Sequence, residues 1–488
     1  MVKTNGAERE SVGVVVPMKA GRDSVRGKRP DFGHVDLAGT YEGMADFDRS
    51  NYPEGSKSFD KVRHLQRRLW AAAKQSPERR FHALYDRIFW ADILEEGWRR
   101  VRARRGAAGV DGVTVAEVEA YGVERLLAQL LEDLRAGWYR SAPSRRREIP
   151  KPDGGKRPLG IPTVKDRIVQ AAARIVCEPI FEADFSESSF GYRPRRSATD
   201  ALETIRTHFP KGYGWVAEFD ISDFFSSIDH DRLLELVGGR ISDRRVLKLV
   251  RQWLEAGVLV EGRLVETVTG TPQGGVISPL LANIFLHELD RRWDQSSDGV
   301  LVRYADDGVV MCRTRRQAEQ ALAKIAEILE GLGLRLHPEK TKVVDLREGR
   351  EGFDFLGCHC HARLSGQLWE RGIRRYYLHR WPSTRSMKRI RYKVKALTGR
   401  NRIHQDIEDV ISDLNPVLRG WGNYFRTGNA AQKFNQLDSY VWWRLKRLLI
   451  KRYGRNLHAG RADTWTREWL EAHGLHRLRG TVRYPGAA

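Results

Sequence analysis

Two adjacent carboxylates, Asp306 and Asp307, lie between apolar, β-branched runs at residues 300–303 and 308–311. Such runs on both sides of a short polar step predict the two strands of a hairpin, and Gly308 would supply the backbone freedom that a tight turn needs. Carboxylates at a hairpin tip point to solvent or to a ligand, and Mg²⁺ prefers oxygen ligands. Because an isolated Asp-Asp step is more often a plain polar turn, other residues must decide.

A third carboxylate, Asp220, ends a strand-like run at residues 215–220. In-line phosphoryl transfer is served by two divalent ions about 4 Å apart, and Mg²⁺ takes octahedral oxygen coordination. We therefore predict that Asp220, Asp306 and Asp307, with the backbone carbonyl of Ile221, bind two Mg²⁺ ions. That donor set is typical of a polymerase.

Two residues that follow Asp220 are open to more than one interpretation. Asp223 is expected to be solvated or to begin a helix rather than to bind metal. Phe225, five residues past Asp220, is either a core aromatic residue or the side chain that packs under the nucleotide sugar and excludes a 2′-hydroxyl.

Two further segments could hold a nucleotide. A glycine-rich turn at residues 270–276 leads into helical periodicity, with Ser278 as the expected N-cap. Residues 145–162 predict a basic hairpin around an Asp-Gly-Gly turn. Its Lys151 and Arg157 could neutralise a triphosphate on the side opposite the metal ions. The alternative is a solvated basic hairpin.

In this order, these blocks resemble the reverse transcriptases encoded by bacterial group II introns, which are also called maturases. The similarity runs from about residue 62 to about residue 455 and includes further blocks at residues 189–197, 333–342 and 353–357. The last of these would begin the primer-grip hairpin, although an ordinary buried strand has the same alternation of residues. The resemblance implies the following roles: Asp220, Asp306 and Asp307 bind the two Mg²⁺ ions, Lys151, Arg157 and Gln273 contact the dNTP, and Phe225 is the sugar gate.

Charge independently indicates a nucleic-acid partner. The chain has a formal net charge of +22 and a pI near 10.0. Residues 361–461 contain 23 Lys and Arg against 6 Asp and Glu, and such clustering is typical of a surface for phosphate backbone. A basic amphipathic helix could also bind a membrane surface or calmodulin. We prefer nucleic acid because two more helical patterns follow, which together predict a three-helix unit.

Residues 418–426 resemble the core of domain X, the thumb of group II intron proteins. In that family the thumb binds the intron RNA and the primer–template duplex. Trp421 and Tyr424 either stack on bases or are buried core aromatics. The resulting candidates for RNA or DNA contact are Arg193, Arg195, Lys388, Arg389, Arg419, Trp421, Tyr424, Arg426, Arg444 and Arg447.

The expected fold class is α+β: a right-hand polymerase, with fingers and a palm around an antiparallel sheet, plus an α-helical thumb. Residues 62–73 and 81–101 read as helices. The predicted domains are a flexible N-terminal extension at 1–60, N-terminal helices and fingers at 61–212, a palm with the primer grip at 213–373, the thumb at 374–455, and a short tail without an HNH endonuclease at 456–488.

Four cysteines limit the metal chemistry that can be expected. In a strand at residues 358–361, Cys358 and Cys360 would face one side and the two histidines the other, and no second Cys pair follows, so we expect no zinc site. No apolar stretch predicts a membrane span or a signal peptide. The expected location is the bacterial cytoplasm, in a ribonucleoprotein associated with the nucleoid.

The predicted function is RNA-directed DNA synthesis with maturase activity. The expected partners are group II intron RNA, an RNA template/DNA primer duplex, target DNA and dNTPs, with Mg²⁺ as cofactor and retrohoming as the process. One alternative is a domesticated relative that acts in repair or phage defence. Another is an RNA-binding splicing factor with a vestigial polymerase, although all the predicted site residues are intact.

Overall fold

A computed structural model describes residues 57–150, 156–260, 263–265, 270, 274–454 and 457–484. The expected extension at residues 1–60 falls almost wholly outside this part of the chain. Lys151 and Gln273 also lie outside it, and of Arg157 only the backbone is described. Among the described helices, none has the length and apolar character needed to cross a membrane.

The N-terminal helices are α1 (Lys57–Gln75), α2 (Tyr85–Ile88), α3 (Ala91–Arg104), α4 (Val115–Tyr121) and α5 (Val123–Ala136). The helix expected at residues 62–73 is confirmed, whereas the one expected at 81–101 is wrong as a single element. The buried Asp243 carboxylate accepts hydrogen bonds at 2.9 Å from the Leu84 and Tyr85 amides and so holds the start of α2. Trp90 then takes an extended backbone with ψ 137°, and the helix restarts at Ala91.

The middle of the chain builds two four-stranded sheets. Its elements are β1 (Ser144–Pro150), β2 (Lys156–Ile161), α6 (Val164–Glu182), α7 (Ala198–His208), β3 (Trp215–Asp220), α8 (Phe224–Ser227), α9 (His230–Arg240), α10 (Arg244–Glu255), β4 (Val258–Val260), β5 (Arg263–Val265), α11 (Ser278–Arg292), β6 (Val300–Tyr304), β7 (Asp307–Cys312), α12 (Arg315–Glu330) and β8 (Lys342–Asp345). Ser278 is the first residue of α11, and Ile277 takes the N-cap position expected for Ser278.

The first sheet contains the basic hairpin. Strands β1 and β2 pair antiparallel, with Ile149 opposite Arg157, so the predicted hairpin is confirmed. The strand order is β2-β1-β4-β5, with β4 parallel to β1. Helix α6, which is buried along most of its length, packs against α1 and α3 behind these elements.

The second sheet is the palm, with strand order β6-β7-β3-β8 and antiparallel pairing throughout. Successive residues of β3 face opposite sides. Ala217 and Phe219 join a core with α6, α11 and α12, whereas Val216 joins a second core that continues into the thumb. The palm sheet therefore separates two cores, and its strand ends can present side chains in the cleft beside them.

Gly308 has a different role from the one predicted. The turn between β6 and β7 uses Ala305, with φ +58°, as its left-handed residue. Gly308 lies inside β7, opposite Phe219 of β3. A Cβ at Gly308 would lie 2.6 Å from Phe219 Cε1, so the residue is small because an aromatic ring crosses the strand there.

The third sheet and the thumb complete the chain. Their elements are β9 (Gly352–Phe355), β10 (Cys358–Leu364), α13 (Gly366–Trp369), β11 (Tyr376–Pro382), α14 (Thr384–Leu397), α15 (Ile407–Phe425), α16 (Ala431–Tyr453), α17 (Arg461–Thr464) and α18 (Arg467–Ala472). The sheet order is β11-β10-β9. Cys358 and Cys360 face the core and His359 and His361 the other side, as predicted; burial raises the pKa of the Cys358 thiol to about 12.

The predicted three-helix unit is α14, α15 and α16. Its interior contains Val394, Leu414 and Leu445, each fully buried. Leu470 and Leu478 from the C-terminal residues are also buried in this core, so those residues pack onto the thumb helices. The α+β fold with palm, fingers and helical thumb is confirmed.

Replacing Gly308 with Ala should destabilise the palm. The added Cβ overlaps the Phe219 ring, and overpacking of this kind costs about 1–3 kcal/mol in the free energy of unfolding. Gly239 in α9 is the matched control, because a Cβ there meets nothing within 4 Å, and Gly239→Ala should be neutral or stabilising by up to about 1 kcal/mol. Urea unfolding of both variants measures this; equal effects would contradict the explanation.

Candidate active site

The three predicted carboxylates come together at one end of the palm sheet. Asp220 is the last residue of β3 and Asp307 is the first of β7, and the two are direct cross-strand partners. Asp306 precedes Asp307 in the turn, next to Ala305. Antiparallel pairing places directly opposite Cβ atoms about 5 Å apart. The backbone register alone therefore brings Asp220 and Asp307 into one site.

The site carries unbalanced negative charge. Burial in the cleft raises the pKa of the Asp307 carboxyl to about 7, and the charge of Asp306 and the contact with Asp220 add to the rise. Asp307 nevertheless keeps an open side toward solvent, so a cation can reach it. Lys340 forms an ion pair with the Asp220 carboxylate, and that contact raises the pKa of the Lys340 ammonium.

The Ile221 carbonyl also points toward this site. On one side, Ile221 pairs with Leu336 in an isolated antiparallel β-bridge. The hydrogen bonds flanking that bridge are made by its neighbours: Ser222 N donates to Arg335 O at 2.9 Å and His337 N donates to Asp220 O at 2.8 Å. In antiparallel pairing, a residue between such bonds directs its own carbonyl to the opposite edge. That edge is the side of β3 on which β7 lies, together with the turn at residues 305–306 between β6 and β7, which we call the Asp turn.

This donor set fits Mg²⁺ in chemistry. It consists of three carboxylates and a backbone carbonyl, all oxygen, with excess negative charge that a hard divalent cation would relieve. Across the described residues, no three His, Cys, Asp or Glu side chains already converge as a finished metal cluster. Lys340 supplies part of the positive charge at Asp220 instead, so side-chain rearrangement must accompany metal binding.

Phe225 and the two segments predicted to hold a nucleotide approach one another. Phe225 is 8% exposed and packs edge-on against Phe224, with ring centroids 5.2 Å apart. Gly270 lies against the Phe225 carbonyl, where a Cβ would be 2.8 Å away. Gly274 lies against the backbone of Gly160 in β2. The glycine-rich loop therefore has one end beside Phe225 and the other beside the basic hairpin.

Comparison with known proteins agrees with this geometry. Residues 149–360 match the family described as reverse transcriptase (RNA-dependent DNA polymerase). Residues 387–469 match the group II intron, maturase-specific domain. Protein YkfC of Escherichia coli strain K12 is 36% identical over 337 residues, which is 61% of this chain and 87% of that protein. The chain belongs to the group II intron reverse transcriptases.

The names of two other relatives refer to introns. The uncharacterized 91 kDa protein in cob intron of Schizosaccharomyces pombe is 30% identical over 403 residues, 69% of this chain and 49% of that protein. The group II intron-encoded protein LtrA of Lactococcus lactis subsp. cremoris is 39% identical over 212 residues, 43% of this chain and 35% of that protein. This chain thus spans half or less of the length of these two relatives.

Three of the arginine and aromatic residues predicted to contact nucleic acid in this group II intron reverse transcriptase have partners within the fold. Arg193 is buried, pairs with Glu182 at 2.7 Å and donates to the Ser189 carbonyl at 2.9 Å. Arg444 donates to the Thr398 carbonyl at 2.7 Å and so closes the C-terminal end of α14. Trp421 packs against Phe425 and Phe434, with ring centroids 4.8 and 5.5 Å apart, as part of the thumb core. For the buried Arg193 the prediction of nucleic-acid contact is therefore wrong. For the half-buried Arg444 and Trp421 it stays a prediction, and for Trp421 the structure bears out the alternative role as a core aromatic.

The remaining candidates keep surface positions. Lys388 and Arg389 are exposed on α14, Arg419 on α15 and Arg447 on α16. Arg195 is also exposed, Arg426 is half-buried, and Tyr424 is 42% exposed while its hydroxyl donates to the Leu356 carbonyl at 2.8 Å. For all of these residues, contact with nucleic acid stays a prediction.

Two residues of the site were missed as functional candidates. Lys340 belongs to the block at residues 333–342, yet only the fold brings it to Asp220. Arg303 is the one charged residue among the apolar positions 300–303, and it is 0% exposed. A cation in an otherwise apolar strand was the available signal, because such a side chain requires a buried partner.

Replacing Lys340 with Met should strengthen divalent-ion binding to the protein alone. The ammonium competes with a cation for Asp220, so its loss should lower the Kd for Mn²⁺ by about three- to tenfold. Electron paramagnetic resonance of unbound Mn²⁺ measures the Kd. Lys342→Met is the matched control, because Lys342 pairs with Glu218 at 3.3 Å rather than with the cluster. Unchanged affinity in Lys340→Met would contradict the competition.

Proposed function

We propose that this group II intron reverse transcriptase binds its intron RNA, assists its splicing, and copies the RNA into DNA from a DNA primer. The observation that supports the proposal best is the pairing of two features in one chain. A carboxylate site is built from Asp220 opposite Asp307, and residues 387–469 match the maturase-specific domain. A polymerase site alone would not predict an intron partner.

Asp220, Asp306, Asp307 and the Ile221 carbonyl would hold two Mg²⁺ ions, which when bound activate the primer 3′-hydroxyl and neutralise charge on the transferred phosphate. The chain's own residues prepare the site. Lys340 balances Asp220 beforehand, and the cross-strand register keeps Asp307 beside Asp220. The register lowers the backbone rearrangement that metal binding would require, whereas Lys340 would have to move away from Asp220 to admit an ion.

The nucleotide would lie between the basic hairpin and the glycine-rich loop. Lys151, Arg157 and Gln273 are proposed to contact the dNTP on the strength of their blocks. The approach of Gly274 to Gly160 supports this placement, because it brings the loop and the hairpin into contact. Phe225, whose carbonyl lies against Gly270, is proposed as the sugar gate.

The proposed nucleic-acid partners are the intron RNA, the RNA template/DNA primer duplex and target DNA. The domain limits proposed are those of the sequence: fingers at 61–212, palm at 213–373 and thumb at 374–455. The basic surface of the thumb would follow the phosphate backbone with the exposed Lys388, Arg389, Arg419 and Arg447. A cytoplasmic ribonucleoprotein at the bacterial nucleoid would give it access to RNA, DNA and dNTPs together.

Replacing Asp306 with Ala should abolish primer extension on an RNA template with dNTPs and Mg²⁺. Binding of intron RNA should change by no more than about threefold, because the carboxylates belong to the palm sheet and the cations proposed to bind RNA belong to the thumb helices. Asp223→Ala is the matched control: it removes an exposed carboxylate three residues past Asp220, and extension should persist. If the wild-type protein binds RNA tightly but never extends a primer, the splicing-factor alternative is favoured.

Replacing Lys388 and Arg389 together with Ala should weaken RNA binding and lower its salt dependence. The slope of log K against log salt concentration should fall by about one for each phosphate that the variant no longer neutralises. Arg444→Ala provides the contrast. It removes the hydrogen bond to Thr398 O, so it should lower the free energy of unfolding by about 1–3 kcal/mol and leave the salt slope unchanged. A salt slope that falls only in Arg444→Ala would contradict the assignment.

A further inference from the structure

The strand that leads into the Asp turn contains one fully buried cation. Arg303 of β6 is 0% exposed, and so is the side chain of Asp290 of α11, with which it forms an ion pair. The contact is bidentate: Arg303 Nε donates to Asp290 Oδ1 at 2.8 Å, and Nη2 donates to Oδ2. A bidentate pair fixes the plane of the guanidinium as well as its position.

The guanidinium donors that remain reach the turn and its surroundings. Arg303 Nη1 donates to the Ala305 carbonyl at 2.9 Å, and Nη2 donates to Ser189 Oγ at 2.9 Å. The Ala305 carbonyl belongs to the peptide group that joins Ala305 to Asp306. Fixing that oxygen therefore fixes the peptide plane from which the Asp306 side chain departs.

Ala305 needs this support. Its φ of +58° lies in the left-handed region, which residues other than glycine rarely adopt. Such a conformation persists only where surrounding contacts determine it. The Arg303 hydrogen bond is one such contact, made by a charged donor in a site without water access, where charge-assisted hydrogen bonds are strongest.

A second contact confines the turn from the other side. Residues 188–191 lie along β6: Arg303 N donates to Ser188 O and Phe190 N donates to Arg303 O, each at 2.8 Å. Gly191 then lies against the Tyr304–Ala305 peptide, where a Cβ would be 2.9 Å from the Tyr304 carbonyl carbon. Asn283 of α11 holds Gly191 by donating to its carbonyl at 2.8 Å. The block at residues 189–197 thereby gains a role that its sequence did not reveal.

We infer that Arg303, oriented by Asp290, is a positioning residue that sets the Ala305–Asp306 peptide and through it the affinity of the carboxylate site for divalent ions. The inference rests on the proposed function, in which Asp306 binds metal. It differs from a purely structural ion pair in one consequence. A structural pair affects stability alone, whereas a positioning pair affects metal affinity even when the protein stays folded.

The test is Arg303→Lys, in the full chain, with Mn²⁺ as the probe. Lys keeps the charge beside Asp290 but lacks the planar fork that reaches Asp290 and Ala305 at once. The Kd for Mn²⁺ is measured by electron paramagnetic resonance on protein whose fold is verified by urea unfolding. We expect Mn²⁺ binding to weaken at least about tenfold. A folded Arg303→Lys protein that binds Mn²⁺ within about twofold of wild type overturns the inference.

Asp290→Asn covers the case in which Arg303→Lys does not fold. It keeps the size of the side chain but removes the charge that orients the Arg303 guanidinium. Weaker Mn²⁺ binding by a folded Asp290→Asn protein is expected, and unchanged binding overturns the inference.

Arg240→Lys is the control for stability. Arg240 is also buried, and it pairs with Asp184 at 2.8 Å and donates to the Ala73 carbonyl at 3.1 Å, away from the Asp turn. It should lose stability and retain Mn²⁺ affinity. Comparing the Mn²⁺ affinities of wild type and Asp306→Ala distinguishes failure of the proposed metal site from failure of the positioning role. If these two bind Mn²⁺ equally, the proposed metal site fails and the inference falls with it; if they differ while Arg303→Lys matches wild type, the inference alone fails.

Discussion

Mutual repulsion among three carboxylates is the constraint on which the rest of this structure depends. Two unit charges 4 Å apart repel by about 4 kcal/mol at an effective dielectric constant near 20. The backbone pairing of β3 with β7 nevertheless holds Asp220 beside Asp307. Burial, followed by the charge of Asp306 and the contact with Asp220, raises the pKa of the Asp307 carboxyl. Lys340 relieves part of the repulsion from the solvent side. A divalent cation would relieve more, so the same repulsion that destabilises the carboxylate cluster favours metal binding.

Contacts with buried residues hold the Asp turn in place against this repulsion. The turn cannot relax away from Asp220 because Arg303 binds its carbonyl from one side and Gly191 packs against it from the other. Removing either partner of a buried ion pair leaves an uncompensated charge, which costs several kcal/mol. Arg303 and Asp290 therefore make the turn part of the core rather than a surface loop. This is a physical reason for a charged pair at a position where an apolar pair would pack as well.

The sequence was sufficient wherever local pattern decides structure. The apolar runs on both sides of the Asp pair predicted the hairpin, and the basic amphipathic pattern predicted the first thumb helix, α14, which buries Met387, Ile390 and Val394. It was insufficient wherever a distant partner decides. Arg193 was predicted to contact phosphate because nothing in the local sequence reveals that Glu182 lies beside it. Gly308 read as a turn residue because the crossing Phe219 ring comes from another strand.

The same distinction changes the meaning of the chain's basic character. Its net charge of +22 suggests a surface given over to phosphate binding. Several arginines instead connect elements in the interior, namely Arg193, Arg240, Arg303 and Arg380, each no more than 9% exposed.

Arg380 of β11 pairs with Glu203 of α7 at 3.4 Å and donates to the Thr427 carbonyl, between α15 and α16, at 3.2 Å. It thus joins the base of the thumb to an element that packs on the palm. Arginine suits both tasks because its planar fork binds carbonyl, carboxylate and phosphate oxygens alike. The proposed nucleic-acid surface therefore consists of exposed cations, such as Lys388, Arg389, Arg419 and Arg447 on the thumb helices, and the buried arginines join the elements beneath it.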